Sequence, residues 1–183
     1  DGVAGINRKF GVKLAEPVNA GLGSVTNATV TILDRESYNL PAGQIDPTFA
    51  GAVGANGTIY AVGLQTNGNV VIGGDFTEYN NGTRSRMARI LPNGALDMTF
   101  DVGTGPSQAV RTLLVQDSGK VLIGGLFTNF NGLNHNYIAR LNPDGTLDLQ
   151  FNPGGGADNP VYAIVQQADG KIILGGDFAT YNG

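Results

Sequence analysis

The sequence predicts an all-β protein built from β-propeller-type blades of about 51 residues, which form an incomplete ring preceded by the terminal strands of a β-sandwich. Three observations lead to this class: an internal repeat, glycine-rich turns at fixed offsets, and strands that are apolar on both faces. Glycine is abundant, at 29 of 183 residues. The repeat contains no apolar stripe with a period of 3.6 residues, so almost no helix is expected.

The repeat is visible in two strings that recur with the same step. Val-Val-Ile-Gly-Gly-Asp-Phe at 70–76 returns in related form at 121–127 and 172–178, a step of 51 residues. Ile-Asp-Pro-Thr-Phe at 45–49 returns at 96–100 and 147–151 with the same step. Positions identical in all three copies include Gly54/Gly105/Gly156, Gly68/Gly119/Gly170, Gly73/Gly124/Gly175, Gly74/Gly125/Gly176, Asp46/Asp97/Asp148 and Asn80/Asn131/Asn182.

Each unit predicts four short strands. The run 161–167 is rich in β-branched and apolar residues on both faces, as expected of a strand that is covered on both sides. The turn 168–171, whose third residue is a glycine expected to adopt a positive φ, returns the chain into 171–176. After a polar loop, a third strand is expected at 137–141 and a short fourth strand over Leu147 to Phe151. This size fits a propeller blade better than the alternative, a β-solenoid, whose coils are much shorter.

The repeats do not close a ring by themselves. The first contains only its last two strands, near 38–49, and the final one contains only its first two. Joining these halves would give three blades, below the usual four to eight. The interpretation is that further repeats of a longer parent chain, or other protein subunits, complete the arc.

The first part of the chain lies outside the repeat. Residues 7–14 and 28–34 alternate polar and apolar, which is typical of half-buried strands. Because a lone hairpin buries too little surface to be stable, these strands are interpreted as the C-terminal end of a β-sandwich. The predicted organisation is therefore sandwich strands at 1–34, a linker at 35–39 and repeat blades at 40–183.

Composition excludes several functions. The net charge is −4 with scattered basic residues, which argues against a nucleic-acid surface. No apolar run reaches the roughly 20 residues of a membrane span. Zero cysteines exclude disulfides, thiol catalysis and cysteine-ligated zinc.

Two family resemblances rest on these strings. Phe-Gly-Val-Lys-Leu-Ala-Glu-Pro at 10–17, with Ala-Thr-Val-Thr-Ile-Leu-Asp at 28–34, resembles the last strands of a Calx-beta domain. The repeat over residues 38–183 resembles the delta-60 repeat of bacterial secreted and surface proteins, on Asp-Gly-Lys at 169–171 and Ala-Arg-Leu-Asn-Pro-Asp-Gly at 139–145. The Gly pair after an apolar strand is more weakly similar to kelch propellers. The resemblances imply a secreted or cell-surface protein with propeller modules. They imply no reaction, and calcium is the one cofactor that they raise.

The candidate site residues form three groups. The Calx-beta resemblance implies a calcium role for Asp34 and Glu36. However, two carboxylates beside Arg35 fall short of the six to eight oxygens that calcium prefers, so the favoured alternative is an ordinary polar strand end. Aromatic–Asn pairs recur in the long loop and could face a sugar, or the aromatic could anchor its own loop: Tyr79 with Asn80, Phe130 with Asn131, and Tyr181 with Asn182. The recurrent Asp46, Asp97 and Asp148 are expected to pin corners by accepting backbone N–H bonds, and the single histidine, His135, is expected to be solvated.

The function predicted is therefore a non-catalytic structural or binding module of a large secreted or cell-surface bacterial protein, acting in adhesion or in protein or glycan interaction. Loops 75–85 and 126–136 would form its variable contact surface. Two alternatives stay open. One is a filament-forming or assembly subunit that uses unpaired strand edges, and the other is a propeller hydrolase or lyase with catalytic acids on its loops.

Overall fold

The computed structural model describes the strands Arg8–Lys13 and Asn27–Ile32, Phe49, and residues 53–182. The chain divides into two compact units, Asp1–Pro47 and Thr48–Gly183. In the first unit, β1 (Arg8–Lys13) pairs antiparallel with β2 (Asn27–Ile32), with Phe10 opposite Val30. Both strands were predicted from the alternating pattern. The predicted linker at 35–39 lies outside the described residues.

The described residues of the second unit form two three-stranded blades and one two-stranded blade, all antiparallel. Blade 1 consists of β3 (Ile59–Leu64), β4 (Val70–Gly74) and β7 (Met87–Ile90). Blade 2 consists of β8 (Val110–Val115), β9 (Val121–Gly125) and β12 (Ile138–Leu141). Blade 3 consists of β13 (Val161–Gln166) and β14 (Ile172–Gly176). No residue of the described ranges is helical, which confirms the predicted all-β class.

Two details of the blade differ from the sequence prediction. The fourth strand is reduced to one bridge in each blade, Ile90 to Leu96 and Leu141 to Leu147. The polar loop instead contains a two-residue hairpin: β5 (Glu78–Tyr79) with β6 (Gly82–Thr83), and β10 (Asn129–Phe130) with β11 (Leu133–Asn134). The loop prediction was wrong here because strands of two residues carry no detectable alternation.

The hairpin turns depend on their glycines. Gly68, Gly119 and Gly170 have φ of 86°, 79° and 86°, the left-handed region that side chains with a Cβ adopt only at a cost. In each turn the glycine N–H donates to the carbonyl three residues earlier, as from Gly119 to Gln116 at 2.8 Å. The positive φ predicted for the third turn residue is confirmed.

The core lies between successive blades. Strand β8 packs against β3 and β4 on one side and against β13 on the other, so the sheets stack face to face. Val71 of blade 1 is buried with Val110 and Ile123 of blade 2, and Leu122 of blade 2 is buried with Val161 and Ile164 of blade 3. Strands that are apolar on both faces are therefore explained, because each blade has a neighbour on each side.

The recurrent glycine pair permits this close stacking. A Cβ on Gly73 would lie 2.7 Å from Val110 Cγ1, and a Cβ on Gly124 would lie 2.7 Å from Val161 Cγ1. The second glycine faces backbone, because a Cβ on Gly125 would overlap the carbonyl oxygen of Ala109. The described residues thus form successive blades that do not close a ring.

Candidate functional site

The long loops after the glycine pair are held by a repeated clamp between asparagine and glycine. The Asn80 N–H donates to the Gly54 carbonyl, and the Gly54 N–H donates back to Asn80 Oδ1, both at 2.8 Å. Asn131 makes the same two bonds with Gly105, and Asn182 makes them with Gly156. All six residues have positive φ, which glycine and asparagine tolerate better than other residues.

The aromatic partner of each asparagine lies in the core of its loop in blades 1 and 2. Phe130 is fully buried and Tyr79 is 4% exposed, with burial raising the pKa of the Tyr79 hydroxyl. Tyr181 of blade 3 remains 39% exposed. The geometry of Tyr79 and Phe130 favours the anchoring interpretation, since neither ring is presented to a ligand. A ligand-facing role for the three aromatic–Asn pairs stays a prediction.

The exposed residues at the ends of these loops differ between blades 1 and 2, although the same Asn–Gly clamp holds both loops. We call these ends the loop tips. The exposed tip residue on β6 is Thr83, and those on β11 are Leu133 and Asn134. Leu133 is 50% exposed. The clamp therefore supports a loop whose outer residues can vary without a change in backbone path.

The recurrent Asp97 and Asp148 accept backbone N–H bonds at the corners, as predicted, and each also forms an ion pair. Asp97 Oδ1 accepts the Thr99 N–H at 2.8 Å, and Asp148 Oδ1 accepts the Gln150 N–H at 3.1 Å. The other oxygens bind arginine: Arg89 Nε lies 2.8 Å from Asp97 Oδ2, and Arg140 Nε lies 2.7 Å from Asp148 Oδ2. The corner-pinning role is confirmed for these two residues, and Asp46 lies outside the described residues.

Asp148 carries a second cation. Lys120 Nζ lies 2.8 Å from Asp148 Oδ2, and the hydrogen bonds from Lys120 and Arg140 outweigh burial and lower the pKa of Asp148 to about 2. Burial would raise the pKa of Asp97, but the bonds from Thr99 and Arg89 outweigh it and the pKa is lowered. Both carboxyls are therefore ionised at neutral pH, and neither is suited to act as a general acid.

The prediction for the environment of His135 was wrong. It was expected to be solvated, but it is only 9% exposed and Nδ1 has no hydrogen-bond partner. Burial lowers the pKa of His135, so the ring is neutral at physiological pH. The prediction was wrong because His135 follows the hairpin β10–β11, where its N–H donates to the Thr128 carbonyl at 3.0 Å, and strands of two residues carry no detectable alternation.

The calcium candidates Asp34 and Glu36 lie outside the described residues. Within the described part of the chain, no group of three or more His, Cys, Asp or Glu side chains converges in a way that could hold a metal ion. In that same part, no helix has the length and apolar character needed to cross a membrane.

An apolar concavity lies beside β14 of blade 3. A cavity of about 320 Å³ is lined by Ile138, Phe151, Ile172, Leu174, Phe178 and Tyr181. We call this cavity the β14 slot. Sequence reasoning missed it, although the repeat register offered a signal, because each lining residue is the mate of a fully buried residue 51 positions earlier.

A comparison with known protein families supports the 51-residue repeat. A family model described as "Domain of unknown function (DUF5122) beta-propeller" matches residues 65–100, 116–151 and 167–183. The three matched segments begin at Gln65, Gln116 and Gln167, in the register of the repeat. No curated protein and no solved structure shows a significant match to the chain.

Proposed function

We propose that this β-propeller-type repeat protein is a non-catalytic structural or binding module of a large secreted or cell-surface bacterial protein, acting in adhesion through protein or glycan contacts. The proposal rests on one observation: the long loops share the same backbone anchor, but their exposed residues differ. The same Asn–Gly clamp holds each long loop, while the exposed residues at its end change. Binding proteins commonly place variable contact residues on loops that a rigid scaffold positions.

The polar residues that recur also support a structural role. Asp97 and Asp148 are used in turns and ion pairs, and the clamp asparagines bind backbone groups. A catalytic site would need titratable groups that reach a substrate with pKa values suited to proton transfer. The recurrent acids instead have lowered pKa values and side chains turned to their own blade.

The family resemblances extend the proposal to location and neighbours. The delta-60-like strings favour a secreted or cell-surface protein, and the Calx-beta-like strings at 10–17 and 28–34 favour a sandwich beside the blades. The strands β1 and β2 are compatible with the end of such a sandwich. A calcium ion at Asp34 and Glu36 belongs to this part of the proposal.

The experiment that tests the proposal compares binding with turnover. The purified chain is applied to an array of surface glycans and to intact bacterial cells, and variants altered at the loop tips, Thr83→Arg and Leu133→Arg, serve as probes. Saturable binding that the tip variants weaken, with their stability unchanged, would support the proposal. Hydrolysis or elimination with any substrate, or binding that ignores both tips, would contradict it.

A second candidate function, assembly, is favoured by the exposed apolar faces of the outer blades. On β3, Val62 and Leu64 are 66% and 71% exposed. Their mates Leu113 and Val115 pack against blade 1. Size-exclusion mass at several concentrations tests this candidate: growth of the mass that Leu64→Glu abolishes would support it, and a constant monomer mass would exclude it.

A further inference from the structure

The first strand of each blade contains a β-bulge at the same place. In blade 2, the register between β8 and β9 shifts so that Arg111 is an extra residue without a partner on β9. Tyr60 takes this place on β3, and Tyr162 takes it on β13. A bulge removes its extra residue from the alternation of the strand and re-aims the side chain, and bulges are common next to active sites for this reason. The repeat therefore presents one side chain from the same bulge in every blade.

The three bulge residues are neighbours across the blades, and we call them the bulge row. Strand β8 packs against both β3 and β13. The guanidinium of Arg111 lies over the ring of Tyr60, with Cζ 3.9 Å from the ring centroid, which is a cation–π contact. The hydrogen bond to Asp177 raises the pKa of the Tyr162 hydroxyl and the charge of Arg111 acts in the opposite direction, so Arg111 is also near this second ring. Arg111 therefore lies between two tyrosines.

The hydrogen-bond donors of Arg111 are available to a ligand. The ion pairs within the described part of the chain include those of Arg89 and Arg140 but none of Arg111. In that part, Arg111 Nε is buried and has no hydrogen-bond partner. Stacking uses the flat face of a guanidinium, whereas its N–H groups lie in the plane, so Tyr60 holds the group without using its donors. Such an arginine is suited to a carboxylate, which accepts two parallel N–H bonds.

Tyr162 supplies an apolar surface beside this cation. Its side chain is 43% exposed, and its hydroxyl donates to Asp177 Oδ2 at 3.1 Å, which orients the ring. The electron-rich face of an exposed aromatic ring can pack against the C–H groups on one side of a sugar ring. Asp177 is itself exposed, and because a carboxylate offers about four acceptor sites it can also accept bonds from ligand hydroxyls. A carboxylate-binding cation, a flat apolar face and a hydroxyl acceptor are therefore close together.

We propose that the bulge row binds a sugar that carries a carboxylate, with the carboxylate on Arg111, the C–H face on Tyr162 and a hydroxyl on Asp177. This inference rests on the proposed function, because it names a ligand class for the interaction module. An acidic peptide would use Arg111 but would leave the ring of Tyr162 and the acceptor Asp177 without a role. The charge of Asp177 also repels sulfate and phosphate groups, which carry more negative charge close to the ring.

The test measures binding of acidic sugars to the full chain by calorimetry. The probes are trigalacturonate, a hyaluronan tetrasaccharide and sialyllactose, each compared with its neutral methyl ester. Saturable binding of at least one acid is expected. Its ester should bind at least about tenfold more weakly, because an ester cannot accept charge-assisted bonds from Arg111, and this difference should shrink at high salt. A triglutamate peptide measures the acidic-peptide alternative and is expected to bind more weakly than the best sugar.

Two matched pairs of protein variants identify the contacts. Arg111→Gln and Lys171→Gln change the net charge equally, and Lys171 lies in the hairpin turn of blade 3 with its side chain 77% exposed. The first should weaken binding at least about tenfold and the second should leave it within about twofold. Tyr162→Ala should weaken binding about fivefold or more, whereas Tyr162→Phe keeps the ring face and should stay within about threefold. If Arg111→Gln does not fold, the comparison of acids with esters on the unmodified chain decides the question.

Three results would overturn the proposal: no saturable binding of any of the three acids, equal binding of acid and ester, or equal affinities of Arg111→Gln and Lys171→Gln. Tighter binding of triglutamate than of every sugar would overturn it as well, because the bulge row would then be a site for acidic peptides. The two proposals fail separately. Cell binding that the loop-tip variants weaken and Arg111→Gln does not would support the proposed function and contradict a sugar site at the bulge row.

Discussion

Blades 2 and 3 share a repeat but differ in what covers them. In blade 2, all five residues of β9 are buried and its far face rests on β13. In blade 3, the residues of β14 are half-buried or exposed, and Ile173 is 52% exposed where its mate Leu122 is fully buried. The comparison shows that equivalent apolar strands are buried where another blade packs against them and remain partly exposed where no described blade does.

The largest expected difference concerns this pair of mates. Leu122→Ala removes a side chain buried between two blades and is expected to lower the free energy of unfolding by about 2–5 kcal/mol. Ile173→Ala removes a half-exposed side chain and is expected to cost about 1 kcal/mol or less. Urea denaturation measures both, and equal losses would break the comparison between covered and open faces.

The ion pairs give the next effect. Asp148→Asn leaves Lys120 and Arg140 without their shared carboxylate and is expected to lower stability by about 2–3 kcal/mol at pH 7. The comparison variant in blade 3 is Asp169→Asn, whose exposed pair with Lys171 is expected to leave the stability nearly unchanged because solvent screens it. Thermal unfolding of the two variants checks the contrast, and a larger loss for Asp169→Asn would reverse it.

The pH dependence of Asp148 sharpens the same contrast. Its folded pKa of about 2 lies below the unfolded value of 3.8, so its contribution is fully present above pH 4 and is lost as pH falls toward 2. The stability difference between the unmodified chain and Asp148→Asn should therefore shrink over this window. A constant difference from pH 5 to pH 2 would contradict the assignment.

The loop clamp gives a smaller effect that again differs between blades. Asn131 Oδ1 accepts bonds from Gly105 and Thr104, whereas Asn182 Oδ1 accepts one from Gly156 at 3.2 Å. Asn131→Ala is expected to cost about 2 kcal/mol, from lost hydrogen bonds and a strained positive φ. Asn182→Ala should cost about half as much, and Asn131→Gly, which keeps the backbone relaxed, should fall between them. Denaturation midpoints provide the measurement.

The smallest effect belongs to His135 of blade 2. Because burial lowers its folded pKa below the unfolded value of about 6.5, stability is expected to fall as pH drops below about 6.5 toward the folded pKa. His135→Gln should remove this slope. Since the chain has one histidine, the imidazole signal can be followed by NMR without ambiguity. A titration at or above the ordinary histidine pKa would show that the ring is not buried.

The sequence predicted the parts of the fold that follow from local chemistry. The step of 51 residues, the three main strands and the positive φ of Gly119 all depend on neighbours close in the chain. It did not predict that Gly105 and Asn131, which recur together, bind each other across 26 residues. It also missed the Lys120–Asp148 pair and the β14 slot, because partners set by how one strand or blade lies against another leave no local pattern.

The central claim is that blades stack through contacts that the glycine pair permits, and a double-mutant cycle tests it most directly. Gly124→Ala places a Cβ about 2.7 Å from Val161 Cγ1 of the next blade, whereas Gly175→Ala meets only Ala163 Cβ at 3.5 Å. The account predicts that Gly124→Ala destabilises and Gly175→Ala does not, and that Val161→Ala relieves the first by a coupling of about 1 kcal/mol or more. Strictly additive losses from Gly124→Ala and Val161→Ala would contradict it.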